Sequence, residues 1–302
     1  MSDLLSALKE TLPDVVVEEN EPLAPFTSIR IGGPARYFVR ARSTDVLKTA
    51  VVTARVLKLP LLLLGGGCNV LVSDAGFPGL VVKNEDRHWQ TDGELIRAGS
   101  GVPLIFLARE TAAAGNTGFA FAAAIPGTVG GAVRANASAG GSSMSECVVR
   151  AQILDGDQTR WLDKEESAFT EHGSVFRQHP EWVILEVEFF LEFGSKEHAQ
   201  EKVTNVLQRR SASQSSGVAG VWAFQSVTRD GHVVAAGEFI KEAGLDGHAI
   251  GSAAMLKDDP NYLVNTGGAT AEQVIELMSF VKTRVRDQLG IELHDAIDLV
   301  GF

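Results

Sequence analysis

Three successive glycines, Gly65, Gly66 and Gly67, followed by Cys68 and Asn69, leave directly from the apolar run Leu61–Leu64. A short all-apolar run reads as a buried strand, and bare glycine backbone beyond it accepts positive φ and stands close to a ligand. The N–H groups of such a turn suit an anion, a phosphate above all. A second small-residue segment runs Ala124-Ile125-Pro126-Gly127-Thr128-Val129-Gly130-Gly131-Ala132-Val133-Arg134-Ala135-Asn136-Ala137. Its composition lets backbone lie along a large flat ligand. The dinucleotide fingerprint Gly-x-Gly-x-x-Gly does not stand at the turn, and no Gly-Lys-Ser/Thr of a phosphate-binding loop occurs. Arg30 and Arg134 lie in glycine-rich segments and are candidate partners for phosphate or carboxylate.

The elements that must position these groups read as a mixed α/β chain. Apolar spacing predicts a helix over residues 2–11, with Leu4, Leu5 and Leu8 on one side, and another over 44–57 with Thr44 as its cap. Strands follow at 60–64, 70–72 and 80–83, so the glycine turn links two strands. A Gly32-Gly33-Pro34 turn between two apolar-alternating runs predicts a hairpin across residues 26–39. A strand from residue 94 runs into a glycine turn at 99–101, and Pro103 and Gly115 bracket a helix. Two more strands are expected at 148–154 and 182–191. Helices are expected at 197–210, 237–243 and 271–289. The last has a capping box in Thr270 and Gln273, a stripe of Val274, Leu277, Met278, Val281 and Val285, and Gly290 at its end.

A length of 302 residues favours two domains. The formal charge of −11 excludes a nucleic acid as main partner, since such binding needs a basic footprint. No apolar run reaches the roughly 18 residues that span a bilayer, and the N-terminus lacks a signal-peptide pattern, so no membrane partner and a cytoplasmic location are expected. The two cysteines, Cys68 and Cys147, have neither disulfide-framework nor metal-ligand spacing, and no metal is expected.

Taken together, residues 27–35, 65–77 (GGGCNVLVSDAGF), 125–136 (IPGTVGGAVRAN), 236–251 and 261–267 resemble, in order and spacing, the UDP-N-acetylenolpyruvoylglucosamine reductases. The resemblance implies an α+β fold: a two-part FAD-binding domain of the vanillyl-alcohol-oxidase (PCMH) type over residues 20–195, then a smaller α+β substrate domain over 196–302. It implies FAD, with Gly65, Gly66, Gly67, Cys68 and Asn69 on the pyrophosphate and Ile125, Pro126, Gly127, Thr128, Gly130, Gly131 and Val133 along the flavin. Arg134, Asn136, Gln225 and Ser226 would face the substrate. NADPH would reduce FAD, and hydride would pass to the enolpyruvyl ether of a UDP-sugar to give UDP-N-acetylmuramate. A monomer is expected. Cys68 stands where the family often has Ser and reads as small filler.

The same resemblance fails at three places. Hydride transfer to an enolpyruvyl group needs cations or acids beside the carboxylate and a proton donor for the other carbon. The family's arginine corresponds to His172, its Ser/Cys donor to Val221 or Trp222, and its final-strand glutamate to Ala296. Ser226 is the nearest hydroxyl, at the place of the family's Asn or Pro. Asp295, next to Ala296, would face away from it in a regular strand. Two further readings follow: a divergent flavoprotein that binds FAD without the standard reduction, and a different oxidoreductase using His172 as acid or base.

Overall fold

The computed structural model describes residues 2–171, 173–213, 219–229 and 231–302. It resolves into two compact units. The first comprises Met1–Glu18, Tyr37–Gly66 and Gly79–Ser213, and the second Glu19–Arg36, Gly67–Pro78 and Gln214–Phe302. The division falls inside the glycine run, between Gly66 and Gly67.

The first unit holds most of a four-stranded sheet ordered Val17–Pro22, Pro34–Ala41, Phe77–Asn84, Leu61–Leu64. Leu61–Leu64 pairs in parallel with Phe77–Asn84, Leu61 opposite Leu80 and Leu64 opposite Lys83. The helices Ser2–Thr11 and Thr44–Val56 supply Leu8, Leu47, Ala50 and Val51 to the core, which also takes in Val39, Leu80 and Val82. Thr44 is not the cap of its helix. Ser43 is, its hydroxyl accepting from Val46 N at 3.3 Å, while the Thr44 hydroxyl donates to Asp86 Oδ2 at 2.8 Å. A five-stranded antiparallel sheet follows, ordered Gln158–Asp163, Val148–Asp155, Val183–Phe190, Leu95–Gly99, Trp89–Asp92. One face packs Ile96, Ala151, Ile153, Val187 and Phe189 against the helices Leu104–Ala114 and Lys196–Ser213. Gly115, at φ 98°, closes Leu104–Ala114 as its position after the apolar stripe predicts.

In the second unit the strands Gly220–Trp222, Tyr262–Asn265, Ala253–Met255 and Ala249–Ile250 form one sheet, and Asp298–Val300 pairs in parallel with Val70–Val72. The helix Ala271–Leu289 buries Val274, Leu277, Met278, Val281 and Val285, its expected stripe. Its first turn is capped twice. Thr270 and Gln273 form the capping box, and both Asp74 carboxylate oxygens accept from Ala271 N, at 2.9 and 3.1 Å.

The hairpin expected at 26–39 does not form. Residues 27–33 carry no strand, because the Thr27 hydroxyl donates to Ile31 O at 2.9 Å and accepts from Ile31 N at 3.2 Å, closing a local loop in place of a ladder. Ile29 and Ile31 are thereby turned into the apolar core of the second unit. Among the described residues no helix is long and apolar enough to cross a membrane, and no group of three or more His, Cys, Asp or Glu is placed to hold a metal.

Candidate functional site

In the first unit the start of the glycine run meets the second glycine-rich segment. A Cβ placed on Gly65 would stand 2.6 Å from Thr128 Oγ1, so glycine lets the end of strand Leu61–Leu64 lie against the second segment without displacing that hydroxyl. That segment is not extended throughout: Val129–Ala135 is a short helix ending on Asn136 at φ 46°. Its entry is held by the neighbouring turn, with Val129 N donating to Val102 O at 2.9 Å and Gly130 N to Ser100 O at 2.8 Å. The side chain of Val133 is fully buried and that of Ile125 nearly so, whereas Pro126 and Gly127 are partly open. Gly127, at φ 114°, and Gly131 have room where a Cβ would stand.

Below this cradle runs a polar chain that the sequence motifs do not mark, buried at Asn84, Ser100 and Asp86 and open to solvent at His88. Asn84 Nδ2 donates to Ser100 Oγ at 2.8 Å, Asp86 N donates to Asn84 Oδ1 at 3.1 Å, and Asp86 Oδ1 lies 2.7 Å from His88 Nδ1. His88 Nε2 reaches Glu186 Oε1 at 2.9 Å. Burial pulls the His88 imidazole down, but its hydrogen bonds to Glu186 and Asp86 outweigh that and hold its pKa above the ordinary 6.5. A raised folded-state value means the stabilisation is complete below pH 6.5 and is lost as pH rises through the raised value. Thermal unfolding should therefore show a fall in stability on the alkaline side of 6.5 that His88→Gln flattens; an unchanged profile in the variant would assign the slope elsewhere. Cys147, by contrast, is buried and its thiol pushed up to about 12 by that burial, so it offers no nucleophile.

The substrate-side candidates of this unit share one neighbourhood. Asn136 Nδ2 donates to Thr170 O at 2.7 Å, and the Ser174 hydroxyl donates to Arg134 O at 2.7 Å. Thr170 and Gly173 bridge each other across the segment that contains His172, and His172 itself lies outside the described residues.

The second unit gathers the rest. Asn69 Nδ2 donates to Ala296 O at 2.8 Å and Asn69 O accepts from Asp298 N at 3.0 Å, so the end of the glycine run is tied to the main chain at Ala296 and Asp298. Residues 293–297 are not the regular strand expected there; the strand is Asp298–Val300. The carbonyls of His294 and Asp295 accept from Gln225 N and Gln225 Nε2, both at 2.9 Å, and Asp295 pairs with Lys282 at 2.9 Å. Ser226, next in the chain, is half-buried. Val221 lies in the apolar core opposite Leu263, while Trp222 is half-buried with its ring edge-on to Tyr262 at 5.2 Å. Neither supplies an O–H or S–H. Cys68 is half-buried.

Comparison with known proteins settles the lineage. Residues 35–161 match the model of an FAD binding domain, and residues 165–300 that of the UDP-N-acetylenolpyruvoylglucosamine reductase C-terminal domain. The UDP-N-acetylenolpyruvoylglucosamine reductases of Bacillus velezensis and Bacillus subtilis are 35% and 36% identical to this chain, each alignment covering 100% of it and 99% of the relative. The chain belongs to the UDP-N-acetylenolpyruvoylglucosamine reductase family. The crystal structure of the Thermus caldophilus reductase superposes with a TM-score of 0.77 at 28% identity, over 95% of this chain and 98% of that one. Berberine bridge enzyme from Eschscholzia californica, at TM-score 0.50 and 16% identity over 64% of this chain and 44% of its own, shares the fold alone. The fold is thus α+β, with an FAD-binding domain of the PCMH type and the C-terminal domain of this reductase family.

The residues present fit such a cofactor. Gly65 packs against the Thr128 hydroxyl, which a Cβ would have to displace, and Gly127 and Gly131 leave bare backbone facing open space. Gly131 gives a test. Alanine there suits a helix and meets only Thr128 Oγ1 at 3.8 Å, so Gly131→Ala should stabilise the cofactor-free protein by about 0.5–1 kcal/mol. Flavin affinity, followed by fluorescence quenching, should nevertheless fall; unchanged affinity would remove Gly131 from the site.

Proposed function

We propose that this chain is an FAD-dependent reductase that oxidises NADPH and reduces UDP-N-acetylglucosamine enolpyruvate to UDP-N-acetylmuramate, a peptidoglycan precursor. The observation that carries the reading is the packing of Gly65 on Thr128 in a chain related to these reductases over its whole length. In the division proposed, residues 20–195 hold FAD and 196–302 the UDP-sugar. The monomer would act in the cytoplasm, where the product serves cell-wall growth and thereby cell shape and division.

FAD, when bound, supplies the hydride carrier between nicotinamide and substrate. Gly65, Gly66, Gly67, Cys68 and Asn69 would hold its diphosphate, and Ile125, Pro126, Gly127, Thr128, Gly130, Gly131 and Val133 would line the flavin. Arg134, Asn136, Gln225, held by two carbonyls, and Ser226 are the proposed substrate-binding residues. His172, at the place of the family's arginine, is the proposed donor to the substrate carboxylate. Purified protein should carry a flavin spectrum or take up added FAD, and NADPH oxidation should depend on the enolpyruvyl substrate. A protein that takes up no FAD, or oxidises NADPH equally without substrate, would overturn the reading.

Val221 in the core and a methyl side chain at Ala296 favour a second reading, a flavoprotein of this family that keeps FAD without the standard reduction. The same assay separates the two.

A further inference from the structure

Lys83 stands opposite Leu64 in the parallel pairing of Phe77–Asn84 with Leu61–Leu64, level with the residue that precedes the glycine run. Its side chain is half-buried, and its ammonium Nζ donates to the carbonyl oxygen of Gly65. Two consequences follow from that contact. A peptide with no side chain of its own is held at its carbonyl end, so the first residue of the run is fixed against rotation, which glycine would otherwise allow freely. The cation also sits on the negative end of that peptide's dipole, which leaves the field of the turn more positive. In a chain with 27 Lys and Arg against 38 Asp and Glu, an anion needs a local source of such field.

We propose that Lys83 is the positioning cation of the glycine cradle, the side chain that sets its affinity for the diphosphate of a dinucleotide. The proposal rests on the FAD reading above. Lys83 acts through Gly65 and takes no part in the chemistry of reduction.

The test uses cofactor-free full-length protein titrated with FAD by flavin fluorescence quenching at low and high salt. Wild type should bind FAD with an affinity that weakens as salt rises. Lys83→Met should bind about 10–100-fold more weakly at low salt, the range of a hydrogen bond to a charged group, and with a flatter salt dependence. Lys83→Arg should restore both affinity and salt dependence; cofactor-free Lys83→Met loses the hydrogen bond to Gly65 and should unfold at a somewhat lower temperature, with all three proteins fully folded at the temperature of the titration. Wild-type affinity in Lys83→Met, a weakened variant that keeps the wild-type salt dependence, or a loss of binding that Lys83→Arg does not restore would each overturn the proposal. A wild type that binds no FAD would overturn the FAD reading and this proposal with it, so the two failures are told apart.

Discussion

Glutamate in place of Ala296 is expected to speed the reaction of the reduced, FAD-loaded protein with UDP-N-acetylglucosamine enolpyruvate by about 10²–10³-fold, the usual effect of one donor aimed at developing negative charge. The backbone at this position is held independently of the side chain: Ala296 N donates to Ala223 O at 2.9 Å and Ala296 O accepts from Asn69 Nδ2 at 2.8 Å. The residue is only half-buried, so a longer side chain has room to reach solvent-accessible space. A carboxylic acid there would take up the role that the family's glutamate has and that a methyl group cannot. FAD affinity should not change, because the contact of Asn69 is to the main chain. Stopped-flow comparison of Ala296→Glu with wild type decides the matter, and equal rates would mean that this position does not face the reacting carbon.

Gly67→Ala should have the largest effect on stability. The backbone at Gly67 takes φ 65°, and an added Cβ would stand 1.9 Å from Phe26 O and 3.1 Å from Thr27 Cα. Both obstacles are main chain, and Gly67 O accepts from Ser28 N at 2.9 Å, so relief means opening that contact. Strain of this kind costs about 2–4 kcal/mol, enough to remove a large share of the stability of an ordinary domain. Chemical denaturation should show the loss in the cofactor-free protein as well, in contrast to Gly131→Ala. A Gly67→Ala protein as stable as wild type would mean that the turn rearranges at little cost.

Local signals were the legible ones. The helix Ala271–Leu289 could be read from end to end because its capping box, apolar stripe and terminal glycine are neighbours in the chain. The strands around the glycine run were legible for the same reason. The helix Val129–Ala135 was not, since two glycines in seven residues lower helix propensity and the entry is held by the carbonyls of Ser100 and Val102. Asn84, Ser100 and Lys83 escaped notice because their places depend on pairing between distant strands, above all the alignment of Leu64 with Lys83. Residues 27–33 misled because alternating apolar residues look the same whether a ladder or a side-chain hydroxyl satisfies the backbone. Likewise the choice between Val221 and Trp222 as the family's donor position needed the sheet, which puts Val221 in the core and Trp222 on the other face.

Reduction of the enolpyruvyl ether by this chain is tested by one single-turnover measurement. FAD-loaded protein, reduced anaerobically with NADPH and mixed with UDP-N-acetylglucosamine enolpyruvate, should regain the absorbance of oxidised flavin as UDP-N-acetylmuramate, identified by mass, appears in equal amount. Flavin that stays reduced while the enolpyruvyl substrate is recovered unchanged would mean that the protein does not catalyse this reduction.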